Sequence, residues 1–381
     1  MSPIRTVLIG LSANAATSWA SSAHIPYLLS AHGRSRYTII GLLNSSKEST
    51  LAAIKNFNLP AETRAYASPE EVAADPVIQL VVCCTRVDKH FETVFPSVKA
   101  GKDVFVEWPL AENAGLAREL ADAAKHAGGR TMIGLQGRVG PLTRELKRVI
   151  EDGRIGKILG SAVRLSGPLP ERDVLPSSLE YFLHRSIGGN MLTITAAGHG
   201  FDLFQTVLGE AVDVTSHLQL QRPVNRLRDV STGAITGTSK SDVPDLMILT
   251  ARLTESPSVV HDASFLFHFR RDTQFPGEPN LVWTITGERG EIRVTNEATS
   301  WLHMGPAGIT VDLHDFETGR VERVGWNAES WPEDPDTPGA AKNIGLLYER
   351  FATGGEYPTW EDAVRRHEQI DGLLAGWVAE A

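Results

Sequence analysis

The 381-residue chain carries 37 Lys and Arg against 46 Asp and Glu, a formal net charge of −9, with 42% hydrophobic and 22% charged residues. That balance describes an ordinary globular protein long enough for two domains, each with its own core. It argues against a nucleic-acid partner, which needs a dense basic face, while the lack of a membrane-spanning apolar run or a leader pattern argues for a soluble protein without a membrane partner.

Up to about residue 135 short β-branched runs alternate with amphipathic segments, the pattern of a parallel sheet with crossover helices. The expected strands are Thr6–Ile9, Tyr37–Leu43, Ile78–Cys84, Val104–Val106 and Thr131–Leu135, and the expected helices Ser18–Ser30, Ser46–Asn56, Asp88–Ala100 and Glu112–His126. Ser68-Pro69-Glu70-Glu71 signals one more helix by its cap residue, first-turn proline and following carboxylate. The only cysteines, Cys83 and Cys84, are neighbours in a strand and point to opposite faces, so a disulfide between them is geometrically poor and a reducing, cytoplasmic compartment is expected.

Pro141–Glu151 reads as a helix closed by Gly153. Longer strands follow at Ile158–Leu165, Leu246–Leu253, Val259–Arg270, Leu281–Thr286 and Glu291–Thr295, with one apolar helix at Asn190–Leu208. Strands in succession with few helices between them imply a mostly antiparallel sheet. Helix returns from Ala340, and Pro358-Thr359 with Asp362 in the first turn starts a last one running to the terminus. Arg222–Asp245 and Asn327–Gly339 read as mobile loops. The expected fold class is α/β followed by α+β: a dinucleotide-binding domain at 1–137, a substrate and oligomerisation domain at 138–357, and a C-terminal helix at 358–381 packing back on the first domain.

The strand Val7-Leu8-Ile9 runs into Gly10, followed by Ser12, Asn14 and Ala15, all small enough for backbone N–H groups to approach a dinucleotide pyrophosphate. Only Gly10 of a G-x-G-x-x-G survives, and an ordinary strand-to-helix turn reads the same way. At the end of the second strand Asn44-Ser45-Ser46-Lys47 offers a neutral, donor-rich turn where NAD-binding proteins usually carry a carboxylate. That favours NADP over NAD, unless Lys47 is a solvated first-turn residue.

Further along come Cys84-Thr85 with His90 five residues after Thr85, then Glu107-Trp108-Pro109, then Leu135-Gln136-Gly137-Arg138, Gly153-Arg154-Ile155-Gly156-Lys157-Ile158 and Pro358-Thr359-Trp360-Glu361-Asp362-Ala363. In order and spacing these resemble the Gfo/Idh/MocA family of nicotinamide-dependent oxidoreductases over nearly the whole chain. Trp19-Ala20 with His24-Ile25-Pro26, the Glu-Trp dipeptide and Thr193 to His199 with Asp202 are similar to its fungal subgroup, which includes a regulator of galactose genes. The resemblance implies an N-terminal Rossmann domain and a C-terminal sheet domain that self-associates through the sheet. It also implies cofactor contacts from Thr85, His90, Glu107, Trp108 and Arg138.

The family's tripeptide is usually Glu-Lys-Pro, and its second-domain helix carries an Asp four residues before a His. Here Trp108 stands at the lysine position and Thr195 at the Asp position, while His199 keeps the histidine's place. The resemblance makes His199 the proton shuttle, with Thr195 and Trp108 shaping the substrate site; the alternative for His199 is a core histidine. Tyr181, His184 and Arg185 could bind a polyol or carboxylated substrate, or lie solvated in a loop. No residue spacing suggests a metal. The expected activity is hydride transfer to or from a hydroxyl or carbonyl carbon of a small polar substrate, in a homo-oligomer. The alternatives are a catalytically silent dinucleotide-binding regulator and redox-neutral, NAD-assisted glycoside cleavage.

Overall fold

The computed structural model describes residues 2–12, 18–167, 171–305, 307–326 and 338–379. By internal contacts the chain forms two units, one of Met1–Val139 with Ser186–Gly189 and Ser330–Asp371, the other of Gly140–Arg185, Asn190–Glu329 and Gly372–Ala381. The helix Gly339–Thr353 thus belongs with the first unit, whereas the sequence reading assigned it to the second domain.

In the first unit six parallel strands, β1 (Ile4–Ile9), β2 (Tyr37–Leu43), β3 (Arg64–Ala65), β4 (Leu80–Cys83), β5 (Asp103–Val106) and β6 (Thr131–Ile133), lie in the order β3-β2-β1-β4-β5-β6. The order reverses between β1 and β4, the crevice where doubly wound sheets bind ligands at the carboxyl ends of their strands. β4 is buried at every position because helices cover both faces. The helix Lys47–Asn56 starts where a reciprocal box between Ser46 and Ser49 satisfies its first N–H groups, and Pro69–Ala74 starts under a Ser68 cap. The segment expected as one helix at Ser18–Ser30 is instead a π turn at Ala20–His24, a short helix at Ile25–Leu29 and a separate one at Ala31–Arg36. Ser30 divides the last two, its extended backbone and Oγ capping Gly33 N–H.

In the second unit a sheet of eight strands contains β7 (Ile158–Ser166), β9 (Ala211–Gln219), β12 (Leu246–Leu253), β13 (Val259–Arg270), β14 (Leu281–Gly287), β15 (Gly290–Asn296), β16 (Ile309–Asp315) and β17 (Val321–Arg323). Its order is β17-β16-β15-β14-β7-β13-β12-β9, antiparallel throughout except for the β7–β13 pair. Alternation along β12 and β13 turns one face inward, where Phe265, Phe267 and Trp283 receive Phe201 and Phe204 from the helix Phe201–Leu208. Each such side chain, fully buried, stabilises by about 1.5–3 kcal/mol. Trp283 Nε1 finds its acceptor in Ser161 Oγ at 2.9 Å.

Three expectations need correction here. Arg222–Asp245 is not a loop: it holds β10 (Val224–Arg228) and β11 (Ile235–Lys240), which with β8 (Val174–Pro176) make a three-stranded sheet. The pattern hid because β11 is exposed along nearly its whole length and therefore lacks an apolar face. Asn190–Leu208 is not one α-helix, since Leu192–Gly200 is π-helical and the α-helix begins at Phe201, whose N–H reaches back five residues to Ala196 O. The last helix, Trp360–Leu374, stops short of the terminus. Most of the expected loop at Asn327–Gly339 lies outside the described residues. Among the described residues no helix is long and apolar enough to cross a membrane.

Candidate functional site

The ends of β1, β2 and β4 surround a cleft of about 470 Å³, whose lining includes Gly10, Ser12, Asn44, Ser45 and Thr85. Gly10 has φ +89°, and a Cβ there would stand 2.9 Å from Cys84 O and 3.0 Å from Thr85 Cγ2. Only glycine fits the notch that brings the β1 turn against the end of β4. Asn44 anchors the β2 side, its Nδ2 donating to Leu11 O at 2.8 Å and to Ser49 O at 3.3 Å. Two carbonyl acceptors fix which end of the amide is nitrogen. Asn44 Oδ1, the remaining acceptor, is buried with no hydrogen-bond partner among the described residues.

A backbone notch beside a strand-end acceptor fits a dinucleotide: the notch admits the pyrophosphate to backbone N–H groups, and the acceptor takes a ribose hydroxyl. Asn14 and Ala15, expected in the same turn, lie outside the described residues. Ser46 and Lys47 do not line the cleft; Ser46 is a helix cap and Lys47 an exposed first-turn residue. Lys89, Thr93 and Ser49 also line it, and the sequence reading missed them because each sits inside an amphipathic helical pattern with no motif of its own.

The Glu107-Trp108-Pro109 turn is engaged elsewhere in the first unit. Glu107, 8% exposed, accepts from His24 Nε2 at 2.8 Å, and His24 Nδ1 lies 2.8 Å from the Tyr348 hydroxyl. A neutral imidazole protonated on Nε2 satisfies both contacts, with Tyr348 donating to Nδ1. Gly134 makes room for the carboxyl, since a Cβ there would stand 2.3 Å from Glu107 Oε2. Glu107 therefore fastens the strand end, through His24, to the helix Gly339–Thr353.

Trp108 is 5% exposed and packs its indole on the His367 ring, 4.7 Å between centroids at 39°. Burial, helped by the nearby His90, pushes the His367 pKa down to about 3. His90 sets its nitrogens 2.9 Å from Pro109 O and Thr85 O; burial lowers its pKa against the pull of those carbonyls. Burial, followed by the field of Glu107, pushes the Cys84 thiol well up, so it stays a thiol. Arg138 forms an ion pair with Asp362 at 2.8 Å and so holds the start of the last helix. Asp362, its carboxyl held down by that guanidinium against the opposing effect of burial, also caps Thr359 N–H.

In the second unit His199 lies near the end of the π-helix, 9% exposed, with its ring stacked on that of His303, 4.1 Å between centroids at 13°. Burial, then the field of His199, pushes His303 well below the usual histidine range. No sequence signal could have found His303, which is 104 residues away and has no motif around it. The Thr195 hydroxyl donates to Met191 O, so towards a ligand it can only accept. Tyr181 packs edge-on against Phe182. His184 is half-buried, and Arg185 is held by Asp242 and by Trp377 O, so the three do not form a cluster of free polar groups.

Residues 4–135 match the oxidoreductase family with an NAD-binding Rossmann fold, and residues 141–296 match the C-terminal domain of Gal80p. The first domain is thus one of the Gfo/Idh/MocA oxidoreductase family, and the second is Gal80-like. Dehydrogenase aclE of Aspergillus oryzae is 28% identical over 97% of this chain and 95% of its own. The galactose/lactose metabolism regulatory protein GAL80 of Saccharomyces cerevisiae is 27% identical over 78% of this chain and 67% of its own. The crystal structure of a super-repressor mutant of that regulator shares the fold at a TM-score of 0.84 and 22% identity, covering 98% of this chain and 96% of the other. Levoglucosan dehydrogenase in complex with NADH and L-sorbose does so at 0.76 and 19%, with the same coverage. The family thus holds both dehydrogenases and a regulator.

Proposed function

We propose that the protein is an NAD(H)-dependent oxidoreductase acting on a hydroxyl or carbonyl carbon of a small polar substrate such as a sugar or polyol. The observation that carries this reading is the cleft at the β1/β4 crossover, where Gly10 leaves room for a backbone-bound pyrophosphate and Asn44 Oδ1 awaits a donor. Leaving a buried acceptor unpaired costs about 1–3 kcal/mol, which a ribose hydroxyl would recover. The same atom supports NAD(H) over the NADP(H) expected from sequence, because an acceptor faces a hydroxyl better than a phosphate and Lys47 stands outside the cleft.

When bound, the nicotinamide gives or takes the hydride. The protein's part is the proton: in oxidation an imidazole nitrogen of His199 takes it from the substrate hydroxyl as the C–H electrons leave, and in reduction it returns it. Thr195 accepts a substrate hydroxyl's hydrogen bond. A second reading, a non-catalytic dinucleotide-binding regulator, draws support from the absence of a lysine at Trp108 and from the likeness to GAL80.

Calorimetry with NADH and NADPH in competition, followed by a polyol and sugar panel read at the nicotinamide absorbance, tests both readings. Tighter NADH binding with turnover that falls 10²–10⁴-fold in His199→Ala is expected. Binding without any turnover would leave the regulator, and an NADPH preference would remove the role given to Asn44. We further propose self-association through the outer face of the eight-stranded sheet, where Ile248 and Leu266 are exposed. A monomer in sedimentation at micromolar concentration would refute it.

A further inference from the structure

β2 runs into the nucleotide cleft at Asn44 and Ser45, and the helix Lys47–Asn56 carries Ser49 to the same cleft in its first turn. At their far ends the two elements meet again. There Tyr37 and Ile39 of β2, Leu59 and Pro60 beyond the helix, and Leu28 line a second cavity of about 330 Å³. We propose that this cavity is an effector site for a small apolar carboxylate, linked to the nucleotide cleft through β2 and that helix. The link rests on the reading of the cleft as a dinucleotide site, whereas the carboxylate site stands on the cavity alone.

The volume lies at the lower end of the range for small-ligand pockets, in which apolar walls supply affinity and a few polar groups choose the ligand. The polar groups here are the Arg34 guanidinium, the Thr38 hydroxyl and the Asn58 amide. Arg34 sets the charge. Of the basic side chains on its helix, Ala31–Arg36, His32 lies 2.9 Å and Arg36 3.9 Å from the carboxylate oxygens of Glu349. Arg34 has no ion pair or side-chain hydrogen bond among the described residues. A guanidinium without a partner, on the lining of an apolar cavity, matches a carboxylate on an apolar body, because charge-assisted hydrogen bonds hold the head while the walls bury the rest.

Two local devices build the arrangement. The extended backbone of Ser30 ends the helix Ile25–Leu29 and starts a separate one, so Leu28 and Arg34 reach one cavity from two helices. Asn58, at φ +49°, closes the helix Lys47–Asn56: its N–H returns to Lys55 O at 3.2 Å and the Leu59 N–H to Ile54 O at 3.0 Å. The loop against the ligand is thereby tied to the helix that carries Ser49, and the strand against it is the one that ends at Asn44. A ligand that shifts these ends biases the turn facing the dinucleotide ribose, which is the differential contact that an effector needs.

Calorimetry on the full chain, with benzoate and hexanoate as probes and benzamide as the neutral control, tests this. The two carboxylates are expected to bind with dissociation constants of about 1 mM or tighter, and benzamide about tenfold more weakly or worse. Arg34→Gln, at an exposed position, should cost benzoate about tenfold or more in affinity, and its Tm in buffer reports that the variant is folded. Saturating benzoate should change NADH affinity by about fivefold or more, and saturating NADH should change benzoate affinity by the same factor. No carboxylate binding up to about 10 mM, equal binding of benzoate and benzamide, or a benzoate affinity that Arg34→Gln leaves intact would overturn the site. Benzoate that binds through Arg34 without moving NADH affinity would overturn the link. If NADH itself does not bind, the dinucleotide reading fails and the link with it, while the benzoate titrations of wild type and Arg34→Gln still decide the cavity.

Discussion

Trp108 in the first unit and His199 in the second each pack against the ring of a histidine, one tilted and one stacked, but the two layers differ in what faces that histidine. Trp108 and His367 form a sealed layer: the indole replaces a cation, and its partner is pushed down to about 3 by burial and by His90. His199 and His303 form a layer in which burial, then the field of His199, pushes His303 well below the usual histidine range. Burying an imidazole suppresses its charge in both places. What differs is the neighbour, since an indole has no proton to exchange and a second imidazole has one. Where the resemblance led to the expectation of Lys and Asp stand Trp108 and Thr195, and only their surroundings show what those side chains do: the indole packs on His367 and the hydroxyl donates to Met191 O.

Returning a lysine to the first stack is the sharpest way to break this comparison. Trp108→Lys would remove a buried indole and set an ammonium beside a neutral imidazole, so we expect a loss of about 3–5 kcal/mol in denaturant unfolding at neutral pH. Near-wild-type stability would mean that the site is open to water and not sealed. A smaller, pH-dependent effect comes from His367. Its native pKa lies far below the unfolded value near 6.5, so in acid the unfolded chain binds a proton that the native one refuses. The contribution is therefore fully present above pH 6.5 and is lost as pH falls from there towards 3, by up to about 3–5 kcal/mol. His367→Phe should flatten this part of the Tm-against-pH curve, and a curve as steep as wild type would show that the group responsible lies elsewhere.

Much of the fold could be read in the chain because its causes are local. β12 alternates strictly and β13 does so from Ala263, both were bounded to the residue, and Pro141–Glu151 begins with a first-turn proline. β11 was illegible because both its faces meet solvent, and the break at Ser30 was hidden because the apolar pattern runs straight through it. In the site, Gly10 and Asn44 were legible from their places at strand ends. The partners of Glu107 and Arg138 were not legible, because His24, Tyr348 and Asp362 come from segments whose approach no spacing reveals.

The sequence by itself determined the order of most elements, the glycine at the β1 turn, and which residues, Trp108, Thr195 and His199 among them, stand at strand ends and in helices. Only the tertiary structure decided what the carboxylates, cations and rings do there. Whether a polar group meets a ligand or a buried partner depends on contacts between residues tens to hundreds of positions apart, and burial then sets which of them can hold a charge.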